Sequence, residues 1–251
     1  MRETSPPSLR YRYQERVALF LPCYCDALFP QVGKAVVKLF ERLGVPLDYP
    51  MEQTCCGQPA FNAGYWQEAT TLARRFAEVF RGYRWIVVPS GSCGAMTRVM
   101  YESLDGAREA VETGKRLYDL ATFLVDVLDR SDVGARFAGR VTYHDGCHAR
   151  RELRSSPAAL ALLRAVRDLE YVELPSIEEC CGFGGLFSVT YPELSASMGA
   201  SKCDAIAQIG ARVVTSSDSS CLMHLEGLVR KSDPHNQLQF LHLAQILASD
   251  G

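Results

Sequence analysis

The chain has 251 residues, of which 47% are hydrophobic and 22% charged, with a formal net charge of −2. This length suits one large domain or two of about 100–125 residues each. The balanced charge, with no long basic run, argues against binding of nucleic acid or of an anionic membrane surface. Residues 1–15 lack the apolar region of a signal peptide, and the most apolar stretch, residues 17–21, is too short to span a bilayer. We therefore expect a cytoplasmic protein without a transmembrane segment.

After an N-terminal arm, residues 1–15, the first half of the chain predicts short apolar strands that alternate with amphipathic helices. The strands are apolar throughout, and the helices have apolar residues three or four positions apart and a glycine at the end. The predicted elements are, in order, a strand at 17–21 and then Cys23, a helix over 32–43 that Gly44 stops, a strand near 46–49 and then Cys55-Cys56-Gly57, a helix over 69–80 that Gly82 stops, and a strand at 85–88 and then Cys93. These elements form a first unit, residues 16–104.

The second half of the chain repeats this order. Residues 105–138 predict a linking helix over 117–128 and a turn, and residues 139–251 form the second unit. Its elements are a strand at 141–143 and then Cys147, a helix with Ser156 as N-cap and Pro157 as first residue, a strand at 171–174 and then Cys180-Cys181-Gly182, a helix over 198–209 that Gly210 stops, and a strand at 212–215 and then Cys221.

One cysteine pattern thus occurs twice and includes eight of the ten cysteines. Corresponding cysteines of the two copies are 124 to 128 residues apart, and repeats of this kind indicate two copies of one structural unit. The first copy consists of Cys23, Cys55, Cys56 and Cys93, and the second of Cys147, Cys180, Cys181 and Cys221.

The alternation of strands and helices predicts parallel strands joined by right-handed crossovers. The expected fold class is α/β, with two tandem related units, each a small parallel sheet with flanking helices. Every cysteine group follows the carboxyl end of a strand, and ligands of open parallel sheets bind at that edge. We therefore expect the four repeat cysteines of each unit to converge, and the two units to superpose about a pseudo-two-fold axis.

Two matched sets of four thiols indicate two metal centres, because thiolates are ligands of iron–sulfur clusters and of zinc. All eight repeat cysteines are candidate cofactor-binding and metal-ligating residues. Buried structural cysteines would explain one such residue but not two matched sets. A zinc site with four cysteines fits the ligand count but lacks the usual C-x₂₋₄-C pairs, and disulfides between adjacent cysteines are strained and disfavoured in a reducing compartment. Iron–sulfur ligation is the favoured interpretation.

Other residues near the motifs give weaker signals. We interpret Cys25 as a thiol without a role at the centre and Cys203 as a core residue on an apolar helix face. The histidines of the C-terminal segment, His224, His235 and His242, lie in surroundings that look helical, and we interpret them as structural.

Polar residues surround Cys147. His144 and His148 flank it, and Arg150 and Arg151 follow. These side chains are candidates for hydrogen bonds to cluster sulfur or for binding an anionic group. An ordinary solvated loop explains them as well.

The motifs together resemble the CCG cysteine-rich domain family. That domain occurs in the catalytic, cysteine-rich component of heterodisulfide reductase and in the iron–sulfur subunit of glycolate oxidase. The resemblance is closer to the lactate utilization protein A family and covers about residues 16–248. The segments that carry it are Val32-Gly33-Lys34-Ala35, Cys55-Cys56-Gly57-Gln58-Pro59-Ala60, Pro89-Ser90-Gly91-Ser92-Cys93, Cys180-Cys181-Gly182-Phe183-Gly184-Gly185 and Cys221-Leu222-Met223.

The chain departs from heterodisulfide reductase at one position in each unit. In that enzyme each unit ends in C-x-x-C and has five thiolates for a non-cubane cluster. Here Ser90 and Asp218 take the first of those two positions, which leaves four thiolates per unit, enough for a [4Fe–4S] cubane. Whether Ser90 or Asp218 supplies an oxygen ligand stays open.

The resemblance implies an iron–sulfur electron-transfer subunit of a cytoplasmic complex that oxidises L-lactate to pyruvate. It implies two iron–sulfur clusters, one per unit, and the companion lactate utilization proteins B and C as partners. Because no flavin or nicotinamide motif is recognisable, we expect a relay rather than a complete lactate dehydrogenase, and no catalytic residue or electron acceptor is assigned. The alternatives are a thiol–disulfide reductase subunit like that of heterodisulfide reductase, and a zinc-stabilised scaffold.

Overall fold

In the computed structural model, Tyr11 and residues 15–251 are described, and most of the predicted N-terminal arm lies outside them. Within this part of the chain, eight strands form two sheets. The strands are β1 (Val17–Leu19), β2 (Leu47–Asp48), β3 (Trp85–Val88), β4 (Leu117–Asp119), β5 (Arg136–Tyr143), β6 (Arg167–Val172), β7 (Val213–Ser216) and β8 (Gln239–His242).

The two sheets have the same topology. The first has the order β2-β1-β3-β4 and the second β6-β5-β7-β8, and all neighbouring strands pair in parallel. Val17 pairs with Trp85 as Val141 pairs with Val213, so these positions correspond between the sheets. The predicted α/β class with two tandem related units is confirmed.

Thirteen α-helices connect and flank the strands of the described chain. They are α1 (Cys23–Leu28), α2 (Pro30–Leu43), α3 (Gln58–Asn62), α4 (Trp66–Phe80), α5 (Gly91–Arg98), α6 (Arg108–Gly114), α7 (Leu120–Thr122), α8 (Cys147–Arg151), α9 (Ser156–Ala165), α10 (Leu186–Thr190), α11 (Pro192–Gln208), α12 (Ser219–Ser232) and α13 (Leu243–Leu247). A 3₁₀ turn (Met100–Ser103) follows α5, and a π-helical turn (Phe123–Val127) follows α7. As predicted, α2 ends at Gly44 and α11 just before Gly210, both with positive φ.

The strands alternate their side chains between two apolar cores, as the period of two requires. On β1, Val17 and Leu19 face a core that also contains Val141 and Val213 of the second sheet, whereas Ala18 faces a separate core beneath α4. A third core lies between the second sheet and α11 and α12. The central strands β1, β3 and β7 are buried along their whole length, because both faces of each sheet are covered at its centre. The central core is shared by the two units, with α2 and α7 packed on α13 and α9.

Two strands, β4 and β8, are missing from the sequence prediction. The segment expected to be one linking helix over 117–128 begins with β4, which pairs with β3 and completes the first sheet, and a short helix and the π-helical turn follow. The apolar residues at 117, 120 and 124 have the spacing of one helix face, although they lie in three consecutive elements. Each of them is buried in the element to which it belongs. Likewise His242 ends β8 rather than lying within a helix.

Smaller differences concern the ends of elements. Ser155, rather than Ser156, is the N-cap position of α9, and β5 and β6 begin five and four residues before the predicted strands. The proposed division of the chain at residues 104 and 139 stays a prediction. No helix within the described residues is long and apolar enough to cross a membrane.

Candidate metal centre

The repeat cysteines lie where strands give way to helices. Cys23 and Cys147 are the first residues of α1 and α8, directly after β1 and β5. Cys93 and Cys221 lie in the first turns of α5 and α12, which follow β3 and β7. Helix N-termini carry partial positive charge and favour thiolates, so this placement suits anionic sulfur ligands.

In the first unit the four repeat thiols form one connected chain. The Cys56 and Cys93 Sγ atoms are 3.3 Å apart. Cys55 is hydrogen-bonded both to Cys23 and to Cys56. Cys56 is buried, Cys55 and Cys93 are partly buried, and Cys23 is exposed. The structure therefore brings together the four cysteines that the sequence singled out.

The second unit repeats this chain of contacts. Cys180 is hydrogen-bonded to Cys147 and to Cys181, and Cys181 to Cys221. Cys181 and Cys221 are buried, whereas Cys147 and Cys180 are partly buried. The order of contacts is the order of the first unit, as expected for a duplicated site.

The glycine after each cysteine pair has an equivalent role in both units. Gly57 and Gly182 both have φ of 88°, in the left-handed region that glycine enters most readily. This turn directs the Gly57 amide to the Cys55 Sγ at 3.4 Å and the Gly182 amide to the Cys180 Sγ at 3.4 Å. Each amide therefore donates to one thiol of its pair and favours its ionised form.

The thiols of each unit differ in pKa, so they do not ionise equally. In the first unit, hydrogen bonds from neighbouring thiols lower the pKa of Cys55, whereas the same contacts raise the pKa of Cys23 and Cys56. The second unit has the same pattern. Four touching thiols cannot all ionise unless a cation neutralises them, and a soft metal displaces their protons. The donor set of each unit therefore fits a thiolate-bound metal or iron–sulfur centre.

Both thiol sets line one cavity of about 230 Å³ between the two units. The units approach closely beside it: a Cβ added to Gly91 of α5 would lie 2.7 Å from the Ala149 Cβ of α8. Two centres held by these sets would therefore lie side by side and face a common space.

Ser90 and Asp218 join the units at this cavity. The Asp218 carboxylate accepts from the Ser92 amide at 2.7 Å and from the Ser90 hydroxyl at 3.4 Å. It also accepts from the Ser220 amide and hydroxyl, which caps the N-terminus of α12. Ser90 in turn caps α5 by accepting from the Cys93 amide. These hydrogen bonds give both side chains a structural role where the two units meet.

The polar residues around Cys147 differ in their surroundings. His148 lines the cavity, Arg150 forms an ion pair with Glu178, and Arg151 is exposed. His144 is only 1% exposed, so the solvated-loop interpretation is wrong for this residue. Its ring lies beside two of the second unit's thiols.

The two cysteines outside the repeat are separate from both thiol chains. Cys25 is a buried residue of the cavity lining and donates to the Ser219 hydroxyl, and burial raises the pKa of its thiol to about 12. Cys203 packs against the third core and its Sγ contacts the Leu225 carbonyl oxygen at 3.7 Å. The position of Cys203 agrees with its interpretation as a core residue, and the interpretation of Cys25 as a thiol without a role stays a prediction.

Two supporting residues were missed from the sequence. The buried Tyr101 hydroxyl donates to the Cys56 carbonyl oxygen at 2.9 Å and so supports the backbone of the first cysteine pair. The buried Lys202 ammonium donates to the Ser176 carbonyl oxygen at 2.6 Å, in the loop that leads to the second pair. Their segments have no motif, and only the tertiary contacts show that they support the site.

Comparison with solved structures adds no functional information. A glutamate racemase from Francisella tularensis subsp. tularensis has 11% sequence identity and a TM-score of 0.37, with 94% of this chain and 79% of that chain covered.

Comparison with protein families and individual sequences is informative. The model of the CCG cysteine-rich domain matches residues 17–98 and 141–226, once per unit. Lactate utilization protein A of Oceanobacillus iheyensis is 39% identical over 92% of this chain and 96% of its own length. The proteins of that name from Bacillus pumilus and Exiguobacterium sp. are 40% and 42% identical, over 93% and 92% of this chain and 99% and 96% of their own lengths. The chain therefore belongs to the lactate utilization protein A family of CCG cysteine-rich domain proteins.

Proposed function

We propose that this protein is an iron–sulfur electron-transfer subunit of a system that oxidises L-lactate to pyruvate, with lactate utilization proteins B and C as partners. The observation that carries the proposal is the pair of four-thiol chains on one cavity. The family membership supports lactate as the substrate of the system, because relatives about 40% identical over more than 90% of the chain have the name lactate utilization protein A.

The residues of this chain would hold the centres and shield them from water. The four repeat cysteines of each unit would bind one centre, and the Gly57 and Gly182 amides would donate hydrogen bonds to ligand sulfur. Iron–sulfur clusters, when bound, accept and release single electrons. Cys56 and Cys181 are buried, which limits access of water to the inner side of each set, whereas Cys23 is exposed and offers a route to a partner protein.

The thiol–disulfide reductase alternative has weaker support. A fifth thiolate per unit, as in heterodisulfide reductase, would have to stand at Ser90 and Asp218. Those side chains instead hydrogen-bond to one another across the units. The zinc scaffold explains the thiols but not the open cavity that both sets share.

The first test is the metal content of anaerobically purified protein. We expect a brown protein that contains iron and acid-labile sulfide. The Cys56→Ser and Cys181→Ser variants should each lose about half of both, because each change removes a buried ligand of one centre while the apolar cores that fold the sheets stay intact. Cys203→Ser is the matched control and should retain the full content, since Cys203 lies outside both sets.

The second test is reconstitution with partners. Purified protein is mixed with lactate utilization proteins B and C, and lactate-dependent dye reduction is measured. Activity should require the partners and should be lost in Cys56→Ser and Cys181→Ser. Full activity of this chain alone would overturn the relay. A colourless, zinc-containing protein would favour the scaffold, and disulfide reduction without lactate oxidation would favour the reductase.

A further inference from the structure

We propose that His144 binds the metal centre of the second unit through a ring nitrogen, as a fifth protein ligand beside the four thiolates. The corresponding position of the first unit offers no such ligand. The inference rests on the proposed metal centre of the second unit and adds an asymmetry that the cysteine repeat does not contain.

The first observation is the position of the imidazole. One ring nitrogen of His144 and the Sγ atoms of Cys181 and Cys221 all lie within 4.8 Å of one another, and all three residues are buried. Ligands that bind one ion at ~2.0–2.3 Å lie roughly 3.5–4 Å apart, so small side-chain adjustments would place the three donor atoms on a common metal.

The second observation is that the imidazole lacks partners other than these thiols. His144 is 1% exposed, and apart from its approach to the Cys221 thiol, neither ring nitrogen has a hydrogen bond to any residue within 15–251. Burial of a polar group without a partner costs about 1–3 kcal/mol, and buried polar groups without partners are uncommon. A metal ion at the neighbouring thiols would satisfy one of these nitrogens.

The third observation is the corresponding position of the first unit. The Phe20 amide donates to the Val87 carbonyl oxygen as the His144 amide donates to the Thr215 carbonyl oxygen, and Val87 and Thr215 occupy equivalent register positions. Phe20 and His144 therefore occupy equivalent backbone positions, each three residues before the first repeat cysteine of its unit. Phe20 packs its ring on Phe76, with centroids 5.1 Å apart, and offers no donor atom.

The asymmetry has a chemical consequence. Both centres would have four anionic thiolates, and a neutral imidazole would add a fifth donor to the second centre alone. The ligand set and cluster type help to determine the reduction potential of an iron–sulfur centre. The two centres of this protein would therefore differ in potential although their cysteine motifs match. Electrons that enter one unit would have a preferred direction across the shared cavity.

The test uses protein purified anaerobically with its native iron content. One sample is labelled with ¹⁵N-histidine, and pulsed electron paramagnetic resonance is recorded on chemically reduced and oxidised protein. We expect a strong hyperfine coupling to ¹⁴N in the unlabelled protein, replaced by a ¹⁵N coupling in the labelled sample. It should persist in His148→Ala, whose histidine also lines the cavity, and disappear in His144→Phe, which copies the first unit. His144→Cys should lower the potential of one centre only.

An anaerobic crystal structure of the unsubstituted protein provides a readout that does not depend on the folding of a variant. It should show a His144 nitrogen about 2.0–2.1 Å from a metal. A second-unit centre with the imidazole outside bonding distance, or without histidine coupling, overturns this inference and leaves the proposed function intact. Protein without iron and sulfide in either unit overturns both.

Discussion

At the scale of single residues, the two cysteine pairs have the same motif but different neighbours. Gly57 and Gly182 share φ of 88°. A Cβ added at Gly57 would lie 3.4 Å from its nearest atoms, an ordinary contact, whereas a Cβ added at Gly182 would lie 2.4 Å from the Ser195 carbonyl oxygen. The glycine after the second pair is therefore packed tightly against the backbone of α11. The glycine after the first pair has room for a methyl group beside α4.

This difference predicts unequal effects of alanine. Gly57→Ala should cost about 1–2 kcal/mol of unfolding free energy, because it adds only the strain of a positive φ. Gly182→Ala should cost roughly 1–3 kcal/mol more, since backbone must also move. Urea unfolding of both variants measures the difference. Gly210→Ala is the control for strain alone, as its Cβ would have no atom within 4 Å. Equal losses at Gly57 and Gly182 would contradict the packing argument.

Much of the candidate site was predictable at this scale, and the reason is chemical. Each cysteine group follows a strand that could be recognised from its apolar residues, so the convergence of the thiols followed from the rules of parallel sheets. The burial of His144 and the bond between Asp218 and Ser92 were not predictable. The bond between Asp218 and Ser92 depends on how the second unit packs on the first, and His144 lies beside thiols that are distant from it in sequence. No local pattern encodes either contact.

At the scale of elements, the strands missed from the sequence share one arrangement. β4 ends at Asp119 and β8 at His242, and each of these residues caps the short helix that follows. The Asp119 carboxylate accepts from the Ala121 amide at 2.9 Å, and the His242 Nδ1 accepts from the Ala244 amide at 3.0 Å. The strands are only three or four residues long and run directly into helices, so their apolar residues blend into one helical pattern.

The His242 cap predicts a pH dependence of stability. Burial lowers the pKa of His242 to about 4, from 6.5 for a free histidine. The folded protein therefore binds fewer protons than the unfolded chain below pH 6.5, and stability is lost as the pH falls from 6.5 towards 4. The shift corresponds to about 3 kcal/mol at most.

A variant separates this effect from the other groups that titrate in the same range. His242→Asn keeps an oxygen that can cap α13 but does not titrate. Its unfolding free energy, measured in urea between pH 4.5 and 6.5, should vary less than that of the unsubstituted protein. His235→Asn, at an exposed position, is the control and should leave the dependence unchanged. An unchanged slope in His242→Asn would show that the cap is not the titrating group.

At the scale of the whole molecule, the two units are joined through a common core and through Arg42. The guanidinium of this half-buried residue of α2 donates to the Leu247 carbonyl oxygen at 2.9 Å and to the Ala248 carbonyl oxygen at 2.8 Å, at the end of α13. It also forms an ion pair with Asp250. One side chain of the first unit thus satisfies carbonyl groups at the helix end of the second, which would otherwise need water or a cap.

The junction predicts that the protein unfolds as one cooperative unit. Both tryptophans, Trp66 and Trp85, belong to the first unit, so their fluorescence follows that unit, whereas far-ultraviolet circular dichroism follows both. The two urea transitions should coincide, because neither half can expose the shared core without the other. Arg42→Ala should lower the unfolding free energy by about 2 kcal/mol, since it leaves buried carbonyls without donors. Arg81→Ala removes an exposed ion pair with Glu109 and should cost less than about 1 kcal/mol. Transitions that separate in the unsubstituted protein would show that the units fold independently and that the shared core does not couple them.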